Sequence, residues 1–407
     1  MSHDHFGWQN KPCLVFNNVT LQFLLYLHHF TVAVVGSAVI RMKVVVCGGG
    51  VIGICTAYYL HLFNIDVTLV ERSKVACGAS GKAGGFLAKD WCTSNKGLNL
   101  LAEAGFHLHK QLAIEHNGSE VYDFRPLTAY SVALSDGESS DKQTKTQSNC
   151  SYPQWIDKLI GDCSTEKIGS TETTAQLHPR KFVEFLSHVN KQNGIEILSE
   201  ENMCEIVFLS NAVKGVKLSS GKAIACDCVV LCMGPWTGLA QQWAPECPDV
   251  YGQKAHSIIM RPSKSIPAEA VFADSQEFST EIYPRPDGEV YICGITENPV
   301  PSLSLPVPES VVPSQNSCQR LKSSIDQLSS VLCSGDVIMS QACYIPLTHD
   351  GLPLIGKLNR HDDVYIAAGH GCWGILLGPI TGKLVAELIA TGKTNIDLTV
   401  FDPNRFV

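Results

Sequence analysis

Residues 43–71 read KVVVCGGGVIGICTAYYLHLFNIDVTLVE, and this stretch decides the fold. KVVVC (43–47) is a short apolar run that ends in glycines, as expected of a strand buried in a parallel sheet. A helix is predicted from about Gly53 to Phe63, a turn over Asn64–Asp66, and a second strand in VTLVE at 67–71. Strand, helix and strand at this spacing imply a right-handed crossover. Gly48, Gly50 and Gly53 form G-x-G-x-x-G at the first turn, and Glu71 stands eighteen residues beyond the last glycine. Each glycine has its own task. Gly48 permits the tight turn, Gly50 bares the backbone where a pyrophosphate must approach, and Gly53 lets the helix pack on the strand. Val51 and Ile52 open the helix, whose free N–H groups carry roughly half a positive charge. Glu71, with Arg72 beside it, ends the second strand where a carboxylate accepts hydrogen bonds from ribose hydroxyls.

The sequence after Glu71 separates two dinucleotide classes. ERSKVACGASGKAGGFLAKDW (71–91) runs on without another helix–strand unit. Its small residues, Gly78, Ala79, Ser80, Gly81, Gly84 and Gly85, suit a chain laid along an extended ligand. A nicotinamide dinucleotide would need a second nucleotide-binding unit.

Farther out, helices are predicted over 97–116, Pro179–Asn193 and 318–332. Strands are predicted in IEIL, CEIVFLS, GVKLSS and CDCVVLCMG, where Cys226 and Cys228 read as one face of a strand. Ser135–Ser151 reads as a polar surface loop. The stretch 299–317 holds five prolines and is expected to form neither a helix nor a central strand. The chain closes with strand VYIAA (364–368), a glycine turn and a helix from Pro379 to Thr391. Pro379 suits the first helical turn and Gly392 the C-terminal cap.

Of 407 residues, 45% are hydrophobic and 17% charged, which excludes disorder as the main state. The net charge of −8 comes without a basic block, so nucleic acid is not an expected partner. Seventeen scattered cysteines without a C-x-x-C imply free thiols in a reducing, cytoplasmic setting. No metal-ligand spacing, H-E-x-x-H or G-x-S-x-G is present. Residues 1–41 stand apart. Thr20–Ile40 is long enough to cross a bilayer, but His28, His29, Gln22 and Thr31 argue against an anchor, and an accessory extension before Met42 is expected.

Five segments in order carry a resemblance: the opening glycine motif, ASGKAGG (79–85), CVVLCMGPW (228–236), YIPLTHDGLPLIG (344–356) and GHGCWGILLGPITG (369–382). Together the chain resembles the D-amino-acid oxidase superfamily of flavoproteins, which includes glycine oxidase and sarcosine oxidase. QLHPRKF (176–182) and AHSIIMRP (255–262) are similar to an unassigned branch of it. The resemblance implies an α/β fold: a Rossmann-type FAD-binding domain from 42–103, 165–255 and 345–400, and a mainly antiparallel β-sheet substrate domain from 104–164 and 256–344. It implies FAD as cofactor, a small amine or amino acid as substrate, and oxygen or another electron acceptor. Ser80 and Lys82 would then lie near the pyrophosphate or flavin, with Gly84 and Gly85 giving close approach to the ring. Gly234 would relieve crowding near the nucleotide. Gly369 and Gly371, with Gly374 and Ile375 opening the last helix, would set N–H donors at the flavin pyrimidine edge. Cys343 lies seven residues before Asp350, like the cysteine that holds flavin covalently in sarcosine oxidase-like proteins.

The sequence departs from the pattern at the carboxylate clamp. Glycine oxidase-like chains carry Arg before the proline of x-P-x-T-x-D-G, and here Ile345 stands there; Cys372 follows His370-Gly371. Arg285 and Arg261 remain as anion contacts. Tyr283, Tyr344 and Trp373 are candidates for the cavity, His370 for proton transfer, and Lys264 for a charge near the flavin. Three readings follow. One is oxidation of a C–N bond by hydride transfer to flavin N5, the second is a flavin-binding regulatory or adaptor protein, and the third is a dehydrogenase that passes electrons to a partner.

Overall fold

The structure is a computed structural model and describes residues 41–134, 152–158 and 163–406. The apolar run Thr20–Ile40 and the polar stretch Ser135–Ser151 lie outside the described residues.

Strand β1 (Lys43–Cys47) leads into helix α1 (Val51–Leu62) and strand β2 (Asp66–Glu71). The short strand β3 (Phe86–Ala88) and helix α2 (Lys96–Glu115) follow. Next come β4 (Thr128–Leu134), β5 (Cys163–Gly169), α3 (Pro179–Gln192), β6 (Glu196–Ser199) and β7 (Cys228–Leu231). Then β8 (Tyr251–Arg261), β9 (Glu269–Asp274), β10 (Ser279–Pro284) and β11 (Val290–Thr296) precede α4 (Gln315–Leu328). The chain ends with β12 (Asp336–Leu347), β13 (Leu354–Lys357), β14 (Val364–Ala368) and α5 (Gly374–Thr391).

Two sheets organise these elements. The first has the order β13–β14–β7–β1–β2–β6 and is parallel except for the β13–β14 pair. Its central strands β1, β7 and β14 are almost wholly apolar because both faces are covered. One face packs on α1, α2, α3 and α5, and the other on the hairpin of Met203–Leu209 and Ala212–Leu218. The second sheet is mostly antiparallel: β8 pairs with β11 and β12, and β11, β10 and β9 follow in turn. Its one parallel pair joins β9 to β4, which then pairs with β5.

Two local expectations need correction. Cys226 and Cys228 do not share a strand face. Cys226 falls between Ala223–Ala225 and β7, and the two thiols pack on opposite sides of the parallel sheet.

The last helix starts at Gly374, so Pro379 lies inside it. A proline there has no N–H for the carbonyl four residues earlier, which is Ile375 O. That oxygen is instead paired with Nε2 of His109, 2.8 Å away on α2 and fully buried. Burial pushes the His109 ring down to about 4, so it stays neutral and donates from Nε2. The helix therefore begins a turn and a half early because another helix supplies the missing donor. Close packing helps: a Cβ on Gly382 would stand 2.5 Å from the Cys55 backbone of α1, and one on Gly105 2.4 Å from Leu376 O. Gly392 closes the helix in the left-handed conformation, as expected. Gly371–Thr391 is apolar and long enough to cross a membrane, yet most of it is buried against α1 and α2.

The proline-rich stretch forms only an edge pair at Val300–Pro301 and two short turns. Ser314 ends it by capping α4 through its hydroxyl, which accepts from Ser317 N.

Candidate active site

A cavity of about 870 Å³ runs between the two sheets. That lies toward the upper end for small-molecule and cofactor sites. It opens outside the carboxyl ends of β1, β7 and β14, where open α/β sheets bind ligands. Two helix N-termini meet it, those of α1 and α5, and neither N-cap residue makes a side-chain cap.

The first end is built from backbone. Gly48 sits at φ +113, and a Cβ on it would be 2.3 Å from Cys232 O. A Cβ on Gly53 would be 1.9 Å from Gly48 O. At Gly50 an added Cβ would meet only the Ser80 hydroxyl, at 3.1 Å. The loop is thus closed on its protein side and bare toward the cavity, as a phosphate cradle requires. Ser80 Oγ accepts from Val51 N at 2.9 Å. Glu71 is buried, and its carboxylate accepts from Gly49 N at 2.6 Å and Ser73 N at 2.8 Å. Burial raises its pKa and these two N–H groups oppose that rise. Arg72, Glu201 and Trp236 complete this end, and Gly234 opens onto the cavity with no atom near its missing side chain.

The other end is built from side chains. Alternation along the second sheet turns Glu281 and Tyr283 of β10, Tyr291 and Cys293 of β11, and Cys343 and Ile345 of β12 toward the cavity. Phe86 stacks on Tyr283 with centroids 5.4 Å apart, and Tyr283 lies parallel to Tyr291 at 6.0 Å. Phe272 meets Tyr283 edge-on at 5.7 Å, and Trp91 packs on Phe272 at 5.1 Å. The Tyr283 hydroxyl donates to Glu281. Opposite stand the turn Gly369–Trp373 and the start of α5.

Val51, Ile52, Glu71, Arg72, Ser80, Gly234, Tyr283, Cys343, His370, Trp373 and Ile375 line the cavity, as do Gly48, Gly50, Gly369, Gly371 and Gly374. Others do not behave as expected. Lys82 is not among the lining residues: its ammonium donates to Ala342 O at 2.9 Å, tying the loop to β12. Tyr344 alternates to the far face of β12, where its ring lies against Gly252. Arg285 is buried behind the wall, 5.4 Å from the Tyr291 ring and 3.5 Å from Ala83 O. Arg261 is exposed and pairs with Glu289. Gly84 and Gly85 border the cavity, but their bare faces serve protein packing. Cβ atoms there would stand 2.5 Å from the Tyr283 ring and 2.0 Å from Leu177 O. His370 is buried, paired with Thr381 Oγ1 at 3.0 Å, and pushed down to about 3 by burial. It is neutral at ordinary pH and holds the turn. The Cys343 thiol is pushed up to about 11 by burial and stays protonated.

Sequence reasoning missed Phe86, Trp91, Phe272, Tyr291 and Glu281. The alternation T-E-I-Y in β10 and Y-I-C in β11 was the available signal.

The FAD dependent oxidoreductase family (DAO) matches residues 43–388, and the chain belongs to it. The protein is an FAD-dependent oxidoreductase similar to amino-acid oxidases and dehydrogenases. "Putative oxidoreductase C1F5.03c" of Schizosaccharomyces pombe is 29% identical over 89% of this chain and 97% of its own. Glycine oxidase of Geobacillus kaustophilus is 24% identical over 90% of this chain and 98% of its own. Its crystal structure superimposes with a TM-score of 0.77, at 21% identity, over 90% of this chain and 99% of that one. That likeness confirms the expected fold, a parallel Rossmann-like sheet beside a mostly antiparallel one.

Proposed function

We propose that the protein oxidises a C–N bond of a small amine or amino acid. The observation that carries this reading is the aromatic wall of Phe86, Trp91, Phe272, Tyr283 and Tyr291, which faces the glycine turn at the start of α5 across one cavity. Bound FAD supplies a hydride acceptor at N5. The N-terminus of α1 and the Gly48–Gly53 loop hold the pyrophosphate, with Ser80 at their edge. Glu71 takes the ribose hydroxyls. Gly369, Gly371, Gly374 and Ile375 would offer N–H donors and the positive end of α5 to the flavin ring, which would favour a negative charge there. The aromatic wall would orient the substrate carbon. Removal of a hydride from a neutral amine needs little proton machinery, which agrees with a cavity in which His370 is held neutral. Electrons leave to oxygen or to another acceptor.

The test is anaerobic mixing of the yellow holoprotein with a panel of amines and amino acids, followed by admission of air. Bleaching by a member of the panel is expected, with peroxide release if oxygen is the acceptor. A protein that keeps its flavin and is bleached by none of the panel overturns the reading.

A further inference from the structure

The two ends of the cavity differ in charge as well as in construction. Among the described residues, the one Lys or Arg lining the cavity is Arg72, beside Glu71 at the first end. At the aromatic end the charged lining residue is Glu281. Its Oε2 accepts from the Tyr283 hydroxyl and lies 3.4 Å from the Cys293 thiol. Its Oε1 has no hydrogen-bond partner among the described residues. The Tyr283 phenol is held well above its ordinary value by burial and by Glu281, so it remains a neutral donor. The rings of Phe86, Tyr283 and Tyr291 line the same end of the cavity, with Tyr283 parallel to both neighbours, and electron-rich rings of this kind favour a cation over an anion. Arg285, the base that could have clamped a substrate carboxylate, does not line the cavity: it lies behind the Tyr291 ring, near Ala83 O and Glu289.

A substrate carboxylate placed here would sit beside Glu281 with no facing cation, and burying such a pair is strongly unfavourable. An alkylammonium finds a carboxylate oxygen in an aromatic-lined cavity. We propose that the site selects a small cationic amine that lacks a carboxylate, with Glu281 as the residue that binds its ammonium group. The amine docks as the cation and must then lose its N–H proton to water. The electron pair of its α-C–H bond leaves as hydride to the flavin, and the iminium that remains is hydrolysed by water. This inference rests on the oxidation reading above, but its binding half can be tested alone.

The experiment titrates the oxidised holoprotein with tetramethylammonium chloride and with sodium acetate, reading the flavin absorbance. Tetramethylammonium has no nitrogen lone pair, so it reports binding without turnover. A saturable change with tetramethylammonium and none with acetate is expected. Glu281→Gln should weaken the cation about tenfold or more, and Glu281→Asp should restore part of that loss. If Glu281→Gln fails to retain flavin, the wild-type contrast and Glu281→Asp decide. Saturable binding of acetate without tetramethylammonium, or a Glu281→Gln holoprotein that binds the cation as wild type does, overturns the proposal. Cation binding that depends on Glu281 in a protein that no amine bleaches would sink the oxidation reading and leave the cation site standing. Bleaching by α-amino acids as fast as by simple amines, unchanged in Glu281→Gln, would do the reverse.

Discussion

The two ends of the cavity are made by different means. The nucleotide end consists largely of backbone held in place by missing side chains, most of it from the stretch Gly48–Gly85, with Glu201, Gly234 and Trp236 closing it. The aromatic end consists of side chains from β3, β9, β10, β11 and β12, which the chain brings together over more than two hundred and fifty residues. Backbone sites are intolerant where an added atom collides with a peptide group that has nowhere to go, as at Gly48 and Gly53. Side-chain sites can change their lining while the strands beneath stay paired. The first end should therefore fail all at once on substitution, and the second should change its selectivity by degrees.

Gly53→Val breaks that contrast most directly. Its Cβ would start 1.9 Å from Gly48 O, so β1 and α1 must separate and the cradle opens. Overpacking of this kind costs about 1–3 kcal/mol and sometimes more. The purified variant is expected to be colourless, and flavin added back should not restore the visible spectrum. A variant that purifies yellow would show that the loop is not the cradle. Phe272→Leu at the other end should keep a full complement of flavin.

Acid sharpens the comparison next, since three histidines carry depressed pKa values. His109 is held at about 4 and His370 at about 3 by burial; His178 is held at about 4 by burial, then by Arg285 and Lys181. In the unfolded chain each titrates near 6.5. As pH falls through 6.5, the unfolded state takes up protons that the folded state refuses, so stability is full above that pH and is lost down to about 4 for His109 and His178 and about 3 for His370. For His109 the loss reaches about 3 kcal/mol by pH 4. Urea unfolding at pH 7, 6 and 5 should show falling stability, and His109→Gln should flatten the slope, since glutamine keeps a donor and cannot titrate. An unchanged slope would mean that the ring is not held neutral.

His109→Leu isolates the pairing with α5. It leaves Ile375 O buried with neither the Pro379 N–H nor the His109 N–H, which costs about 1–3 kcal/mol. Thermal unfolding should show the loss, and His109→Gln should recover most of it. Because Ile375 opens the helix that faces the cavity, flavin affinity should fall along with stability.

How much was legible follows from the same division. The glycine spacing and the 364–375 turn could be read because each is a local pattern, and Glu71 because it ends the strand next to that pattern; Ser80 came from the resemblance, since its partner Val51 N lies far back in the chain. Pro379 could not be placed, because its tolerance inside a helix depends on His109, 270 positions earlier and on another helix. Arg285 remained as an anion contact because Ile345 and Cys372 stand where an arginine was sought, but strand register put it behind Tyr291. Tyr344 was lost by one residue of alternation, which turned its neighbours Cys343 and Ile345 to the cavity instead. The carboxylate at position 281 carried no motif at all; only the pairing of β10 with β11 gives it aromatic company.

The smallest expected effect concerns Cys343, where a sequence match and the local chemistry point in different directions. Its thiol borders the cavity as a covalent anchor would have to. Yet burial pushes it up to about 11, with Lys82 only partly opposing, so almost no thiolate is present at neutral pH. The thiolate is the reactive form, and a desolvated neutral thiol is inert. Trichloroacetic acid precipitation of the holoprotein should therefore leave all the flavin in the supernatant. Cys343→Ser should bind flavin as tightly as wild type and show the same visible spectrum. Flavin that stays with the pellet in the wild type, and is released in Cys343→Ser, would mean that the aromatic end also grips the cofactor by a bond, and the division between a backbone end that holds and a side-chain end that selects would no longer stand.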